Sequence, residues 1–323
     1  MRIMNGIITI VASTLLSCGG GGDDASSYKP EVFEPETSEV VETRLDYLPT
    51  PKGAEITSYE GFHLVWSDEF NVDGKPSKDW TYEHGFQRNE EWQWYQPYNA
   101  SVKDGCLVIE GRKERVKNPN YIAGSSDWRT NREYAEYTSS CVTTQLSQQF
   151  MYGRYEVRAK IPTASGAWPA IWLLGNKWEW PMNGEIDMLE YYIKNGQPSI
   201  LANACWSSEQ QWVAVWDESV TPFTHFTDKD KDWADKYHIW RMDWDKDFIR
   251  LYVDGELLNE IDLSKTYNEG FNGNRENPFN TNVVGFGDYI LLNLAIGSNG
   301  GTPDDSKFPL HYYVDYVRVY QQK

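Results

Sequence analysis

Asn183-Gly184-Glu185-Ile186-Asp187-Met188-Leu189-Glu190-Tyr191-Tyr192 sets three carboxylates within six residues of an otherwise apolar stretch. Ile186, Met188 and Leu189 are residues of buried type, and Tyr191 and Tyr192 favour strands, so the segment reads as β-strand. Residues two apart on a strand share a face, which puts Glu185 and Asp187 on the same side. Glu190 stands an odd number of steps from Glu185, and on a regular strand it would face the other way. One extra residue bulging out at Met188 or Leu189 brings it back, and that bulge is expected here.

Like charges side by side on a sheet repel, and folding has no use for them. Glycoside hydrolysis with retention does. It needs one ionised carboxylate as nucleophile and one protonated carboxyl as acid, roughly 5–5.5 Å apart. Mutual repulsion helps to keep one of the pair protonated near neutral pH. The competing reading is a solvated acidic strand at the rim of a sheet. It fits poorly with the apolar interleaving and the aromatic surroundings of this segment.

Working outward, residues 61–323 alternate short β-type runs with Gly, Asn, Asp and Pro. The runs include Cys106–Glu110, Tyr155–Ile161, Ala170–Leu174, Ile200–Cys205, His238–Trp244, Ile249–Val253, Tyr289–Ala295 and Tyr313–Tyr320. Val253-Asp254-Gly255-Glu256-Leu257 is a hairpin signal. Asp230–Tyr237 is the one stretch expected to form a short helix. Evenly spaced strands without helical crossovers mean an all-β sandwich or barrel in a single domain.

Residues 19–60, rich in Pro, Glu, Ser and Thr, read as a flexible acidic tether. Residues 1–18 read as an export signal: Arg2 is followed by an apolar run from Ile7 to Leu16 that is too short to span a bilayer. Leu15-Leu16-Ser17-Cys18-Gly19 resembles a lipoprotein processing site, which makes Cys18 the expected lipidation site. The expected location is the outer membrane of a Gram-negative bacterium, lipid-anchored and facing the cell surface. Contact with the membrane would run through the anchor alone.

The formal net charge of −18 argues against nucleic-acid partners and anionic membrane surfaces. It weighs less strongly against sulfated or uronic acid polysaccharides, because a local patch can override net charge. Aromatic residues make up 15% of the chain, with 15 Trp and 21 Tyr. That is well above average composition and suits a cleft in which rings pack on sugar C–H faces. Cys106, Cys141 and Cys205 lack metal-ligand spacing and read as small strand hydrophobes, with any disulfide pairing left open. A monomer is expected.

With these residues in view, the chain resembles glycoside hydrolase family 16. Glu185-Ile-Asp187-Met-Leu-Glu190 matches that family's E-x-D-x-x-E form. Trp66-Ser-Asp-Glu69-Phe70, Tyr152-Gly-Arg-Tyr-Glu-Val-Arg158, Gly166-Ala-Trp168-Pro-Ala-Ile-Trp172 and Val314-Asp315-Tyr-Val-Arg-Val-Tyr320 resemble its other landmarks, in the right order.

The resemblance implies a β-jelly roll of two curved antiparallel sheets with the substrate cleft on the concave face. It implies Glu185 as nucleophile, Glu190 as general acid/base and Asp187 as the group tuning the nucleophile. No cofactor is implied for catalysis. A structural Ca²⁺ on the convex face is implied, held by backbone oxygens and a carboxylate near the last strand, at Glu69, Gly105 and Asp315. Trp168, Trp172, Asn89, Glu91, Trp94, Trp180 and Trp206 are the expected sugar-binding residues.

One departure stands out. Laminarinase-like members usually carry a His on the strand after the catalytic one, where this chain has Cys205. The expected activity is endo-hydrolysis of a β-1,3- or mixed β-1,3/1,4-glucan. The runner-up is an endo-β-galactosidase acting on host mucin-type O-glycans or another β-galactoside. A transglycosylase and a non-catalytic glycan-binding protein on the same scaffold are the remoter readings.

Overall fold

The computed structural model describes residues 46–323. The export signal, Cys18 and the tether up to residue 45 lie outside the described residues. The strands among them are β1 (Phe62–Asp68), β2 (Thr81–Tyr82), β3 (Gln93–Tyr95), β4 (Ala100–Lys103), β5 (Cys106–Gly111), β6 (Val116–Lys117), β7 (Tyr134–Ala135), β8 (Tyr137–Ser139), β9 (Cys141–Thr143) and β10 (Gly153–Lys160). They continue as β11 (Ala167–Gly175), β12 (Glu185–Lys194), β13 (Gln197–Ser207), β14 (Ala214–Pro222), β15 (His238–Trp244), β16 (Phe248–Val253), β17 (Glu256–Asp262), β18 (Asp288–Ile296) and β19 (Leu310–Gln322).

Two large antiparallel sheets face each other, as an all-β jelly-roll sandwich requires. One has seven strands in the order β14-β13-β12-β11-β18-β9-β2. The other has eight, in the order β17-β16-β15-β10-β19-β5-β4 with β1 added beside β19. Alternation along each strand fills the space between them. Ile171, Leu173, Ile186, Met188, Leu189, Ile290 and Leu292 come from the first sheet; Tyr155, Val157, Trp240, Met242, Val317 and Val319 come from the second. Each large apolar side chain removed from water contributes about 1.5–3 kcal/mol, and this shared core makes the sandwich rigid under the site.

The Asp254-Gly255 hairpin forms with positive φ at both residues, 48° and 84°, as a two-residue turn of this kind demands. The expected helix at Asp230–Tyr237 is only a 3₁₀ turn at Trp233–Asp235, and a single helical turn precedes it at Thr224–Thr227.

Residues 46–60, read from composition as part of the tether, run along the outer face of the eight-stranded sheet and bond to it repeatedly. The Asp46 carbonyl accepts from the Tyr237 N–H at 2.7 Å, and the Leu48 carbonyl accepts from Arg158 at 3.0 Å. The Thr50 N–H and hydroxyl both donate to Asp315, at 2.8 and 2.6 Å. Tyr59 donates to Glu156 and packs edge-on against Tyr320. Polar composition concealed this strap because its partners are polar too.

The same contacts bear on the expected calcium ligands, which the structure does not support. Both oxygens of Asp315 accept hydrogen bonds, from Thr50 and from Arg158 Nη1 at 2.6 Å. Both oxygens of Glu69 accept from the Arg318 fork, at 3.0 and 2.7 Å. Gly105 faces Pro49. Donors thus fill both oxygens of Asp315, the carboxylate such a site would use, and no group of three or more His, Cys, Asp and Glu among the described residues is arranged to hold a metal.

Candidate active site

The bulge decides where the acids point. On β11, Ile171 pairs with Leu189 and Trp172 with Asp187, so Met188 has no partner and is the extra residue. The β13 side agrees, with Asp187 opposite Asn203 and Glu190 opposite Leu201. Met188 and Leu189 therefore both turn into the core. Glu185 pairs with Leu174 and Glu190 with Ala170. Those partners are an even number apart on β11, so the two glutamates share a face.

Gly184 sets the entry to the strand. It has φ of +77°, and an added Cβ would meet Pro278 and Phe279 at 2.8 Å, so only glycine makes this turn without strain.

Glu185, Asp187 and Glu190 open onto a cleft of about 540 Å³ on the outer face of the seven-stranded sheet. The Trp180 indole N–H donates to Glu185 at 2.8 Å, and the Trp168 indole N–H donates to Glu190 at 3.0 Å. Burial raises the pKa of both. What differs is the neighbouring charge. Beyond Trp180, the Arg88 guanidinium draws Glu185 back toward ionisation. The Glu185 and Glu91 carboxylates instead push Glu190 further up, with Lys194 offsetting part of this. Asp187, 1% exposed, is raised by burial first and then by Glu190 and Glu185. One carboxylate favoured as the anion and one favoured as the acid, on one face of a closed wall, is a set able to attack a carbon and protonate its leaving group.

Asn89, Glu91, Trp168, Trp172 and Trp180 line this cleft. Trp172 donates to Asn293 at 2.6 Å and carries the Arg88 guanidinium over its ring at 5.0 Å. Glu91 is 2% exposed and accepts from Gln93 at 2.6 Å; burial pushes it up to about 7.

Two of the expected sugar-binding rings are elsewhere. Trp206 is buried in the core, because Cys205, opposite Glu185, takes the cleft face and alternation sends its neighbour inward. Trp94 sits under Gly85 and edge-on to Phe86. Cys205 itself is fully buried; burial and then the three carboxylates push its thiol up, leaving it an inert filler.

Sequence reading missed Arg88, Arg129, Tyr192, Trp216, Asn293 and Asn299, all of which line the cleft. Trp216 had a usable signal: it lies in an alternating run and pairs with Cys205, two strands from Glu185 in one row. Asn293 had none, since its role comes from β18 lying next to β11.

The sequence profile of Glycosyl hydrolases family 16 matches residues 86–285. Glucan endo-1,3-beta-glucosidase A1 of Niallia circulans is 31% identical over 281 residues, covering 81% of this chain but only 38% of that relative. The chain thus spans about two fifths of that protein's length. Among solved structures, one from work on endo-acting O-glycanases that prominent human gut bacteria express to initiate mucin breakdown is 39% identical. It superposes with a TM-score of 0.71 over 83% of this chain and 93% of the other. SCLam, a non-specific endo-beta-1,3(4)-glucanase, is 32% identical with a TM-score of 0.66, over 83% and 94% of the two chains.

Proposed function

The chain belongs to glycosyl hydrolase family 16, and we propose that it hydrolyses internal β-glycosidic bonds of a polysaccharide with retention of anomeric configuration. The observation that carries this reading is the Met188 bulge, which sets Glu185 and Glu190 on one face with opposite electrostatic surroundings.

In the first step the Glu185 carboxylate attacks the anomeric carbon. Glu190 gives its proton to the departing glycosidic oxygen, and a glycosyl ester forms at Glu185. In the second, Glu190 takes a proton from water, the hydroxide adds to the anomeric carbon, and the ester bond to Glu185 breaks. Asp187 shares the site and sets the charge balance between them. Glycosidases of this family need no catalytic cofactor.

A β-glucan with β-1,3 or mixed β-1,3/1,4 links is the first substrate reading, supported by the glucanases among the relatives. A β-galactoside of mucin-type O-glycans is the second. It is favoured by the 39% identity to the O-glycanase structure and by a buried Cys205 where laminarinase-like chains usually carry His.

A panel of laminarin, barley β-glucan, agarose, porphyran and mucin, with products resolved by size, decides between them. Shortening ladders support endo action on whichever chain yields them, whereas single sugars alone would overturn it. We further propose lipidation at Cys18, supported by the Leu15-Leu16-Ser17-Cys18 pattern. A Cys18→Ser variant should then leave the membrane fraction.

A further inference from the structure

In a chain of formal charge −18, residues 112–132 run against the trend. They carry Arg112, Lys113, Arg115, Lys117, Arg129 and Arg132 against Glu114 and Asp127. This stretch leaves β5, passes through β6, and returns by β7 to β8, which pairs with β3 beside Glu91. Arg129 of this excursion thereby reaches the acidic cleft, and Arg132 and Lys113 line the cavity behind Trp92.

Two of its arginines are held in place without being neutralised in the usual way. Arg129 lines the cleft, donates to the Gln87 carbonyl through Nε and Nη2 at 3.2 and 3.0 Å, and lies over Trp128 at 4.6 Å. Its nearest carboxylate oxygen, on exposed Asp127, is 3.8 Å away. Arg132 is half-buried, sits 3.7 Å from the Phe86 ring centre, and donates from Nη2 to the Glu91 carbonyl at 2.9 Å. Arg132 forms no ion pair with a carboxylate among the described residues. Burial pulls its pKa down, opposed only by Glu90. A guanidinium has five N–H donors, and one carbonyl uses one of them.

Arg132 also lines a second cavity of about 490 Å³, behind Trp92, together with Lys113, Tyr134, Glu136 and Tyr137; Glu136 is paired with Arg115 and Lys113 with Asp305, which leaves Arg132 as the cation there without a carboxylate partner among the described residues. Trp92 is 39% exposed there. Aromatic faces beside a cation that lacks a carboxylate are the chemistry of a site for a charged sugar. Holding that cation without a counter-ion costs stability that the Phe86 ring and the Glu91 carbonyl return only in part.

We propose that this basic rim binds an anionic group on the glycan, a sulfate ester or a carboxylate, so that an acidic form of the β-glycan binds in preference to its neutral parent. The inference rests on the reading of the cleft as a glycan site.

Binding is the test, measured with the Glu185→Gln variant so that turnover plays no part. Laminarin, its sulfated form and its carboxymethylated form are titrated by calorimetry, alongside keratan sulfate and its desulfated form. The expected result is at least about tenfold tighter binding of an anionic member than of its neutral parent at low salt, shrinking as salt rises. The sulfated and carboxymethylated arms show which anion the rim takes. Arg132→Gln should bring the preference to within about twofold, Arg132→Lys should keep part of it, and exposed Lys113→Gln serves as a second variant if Arg132→Gln does not fold.

Equal binding of anionic and neutral forms would overturn the rim while leaving the glycan cleft standing. So would an undiminished preference in a folded Arg132→Gln protein. Failure of every glycan to bind would overturn the cleft reading itself.

Discussion

The two faces of the sandwich handle acidic residues in opposite ways. On the outer face of the eight-stranded sheet, carboxylates meet cations. Glu156 stands between Arg241 and Arg318 in the register, Asp243 takes the Arg154 fork at 2.7 and 2.9 Å, and Glu69 and Asp315 take Arg318 and Arg158. On the outer face of the seven-stranded sheet, Glu185 stands opposite Cys205, Asp187 opposite Asn203, and Glu190 opposite Ala170 and Leu201. No cation is paired with any of the three across the ladder. The first sheet uses these acids for stability; the second pairs Glu218 with Lys194 but carries the three cleft acids at a cost that chemistry repays.

The largest effect should come from removing an acid from the cleft. Glu185→Gln or Glu190→Gln is expected to cut kcat/KM by about 10³-fold or more. Each should at the same time raise the melting temperature, because a repelling carboxylate has gone. An active Gln variant, or one that melts earlier, would erase the contrast between the faces.

The mirror experiment is Asp315→Ala on the other sheet. Its side chain is 1% exposed and paired, so chemical denaturation should show a loss of about 3 kcal/mol with kcat/KM unchanged.

The pH dependence of stability sharpens the comparison further. Glu185 and Glu190 have folded pKa values raised to about 7 and about 8. Between the ordinary carboxylate range and those values the native state binds more protons than the unfolded one, so stability falls as pH rises through that window. Denaturant melts from pH 4 to 9 should show this slope in the wild type and a weaker one in Glu190→Gln. In the same window, kcat/KM should fall on the alkaline side as Glu190 loses its proton.

The smallest effect should be Trp216→Ala, on the row of Glu185 and Cys205. Loss of one stacking ring should raise KM about fivefold, roughly 1 kcal/mol, with kcat nearly constant.

Much of this was legible in the chain. The odd spacing of Glu190 called for a bulge, and the alternation of Tyr313–Tyr320 marked the closing strand. What escaped reading depended on partners far away in sequence. Trp206 looked like a cleft ring, but parity with Cys205 sends it into the core. Asp315 looked like a cation ligand, but Thr50 reaches it from 265 residues upstream. Residues 46–60 looked like linker because hydrogen bonds to a distant sheet leave no hydrophobic period to read. Arg88 carries no signal of its own in the chain, and its place beside Glu185 follows only from the folded cleft.

The Met188 bulge has a consequence for the length this strand can take. Deleting that single codon would leave an ordinary ladder in which Glu185, Asp187 and the shortened chain's last acid fall two apart, still looking the same way. Keeping the codon while flattening the ladder would turn that acid inward and silence it. A Met188 deletion should therefore keep all three acids facing the cleft, because the ladder fixes the direction of a side chain and not the number of residues that deliver it.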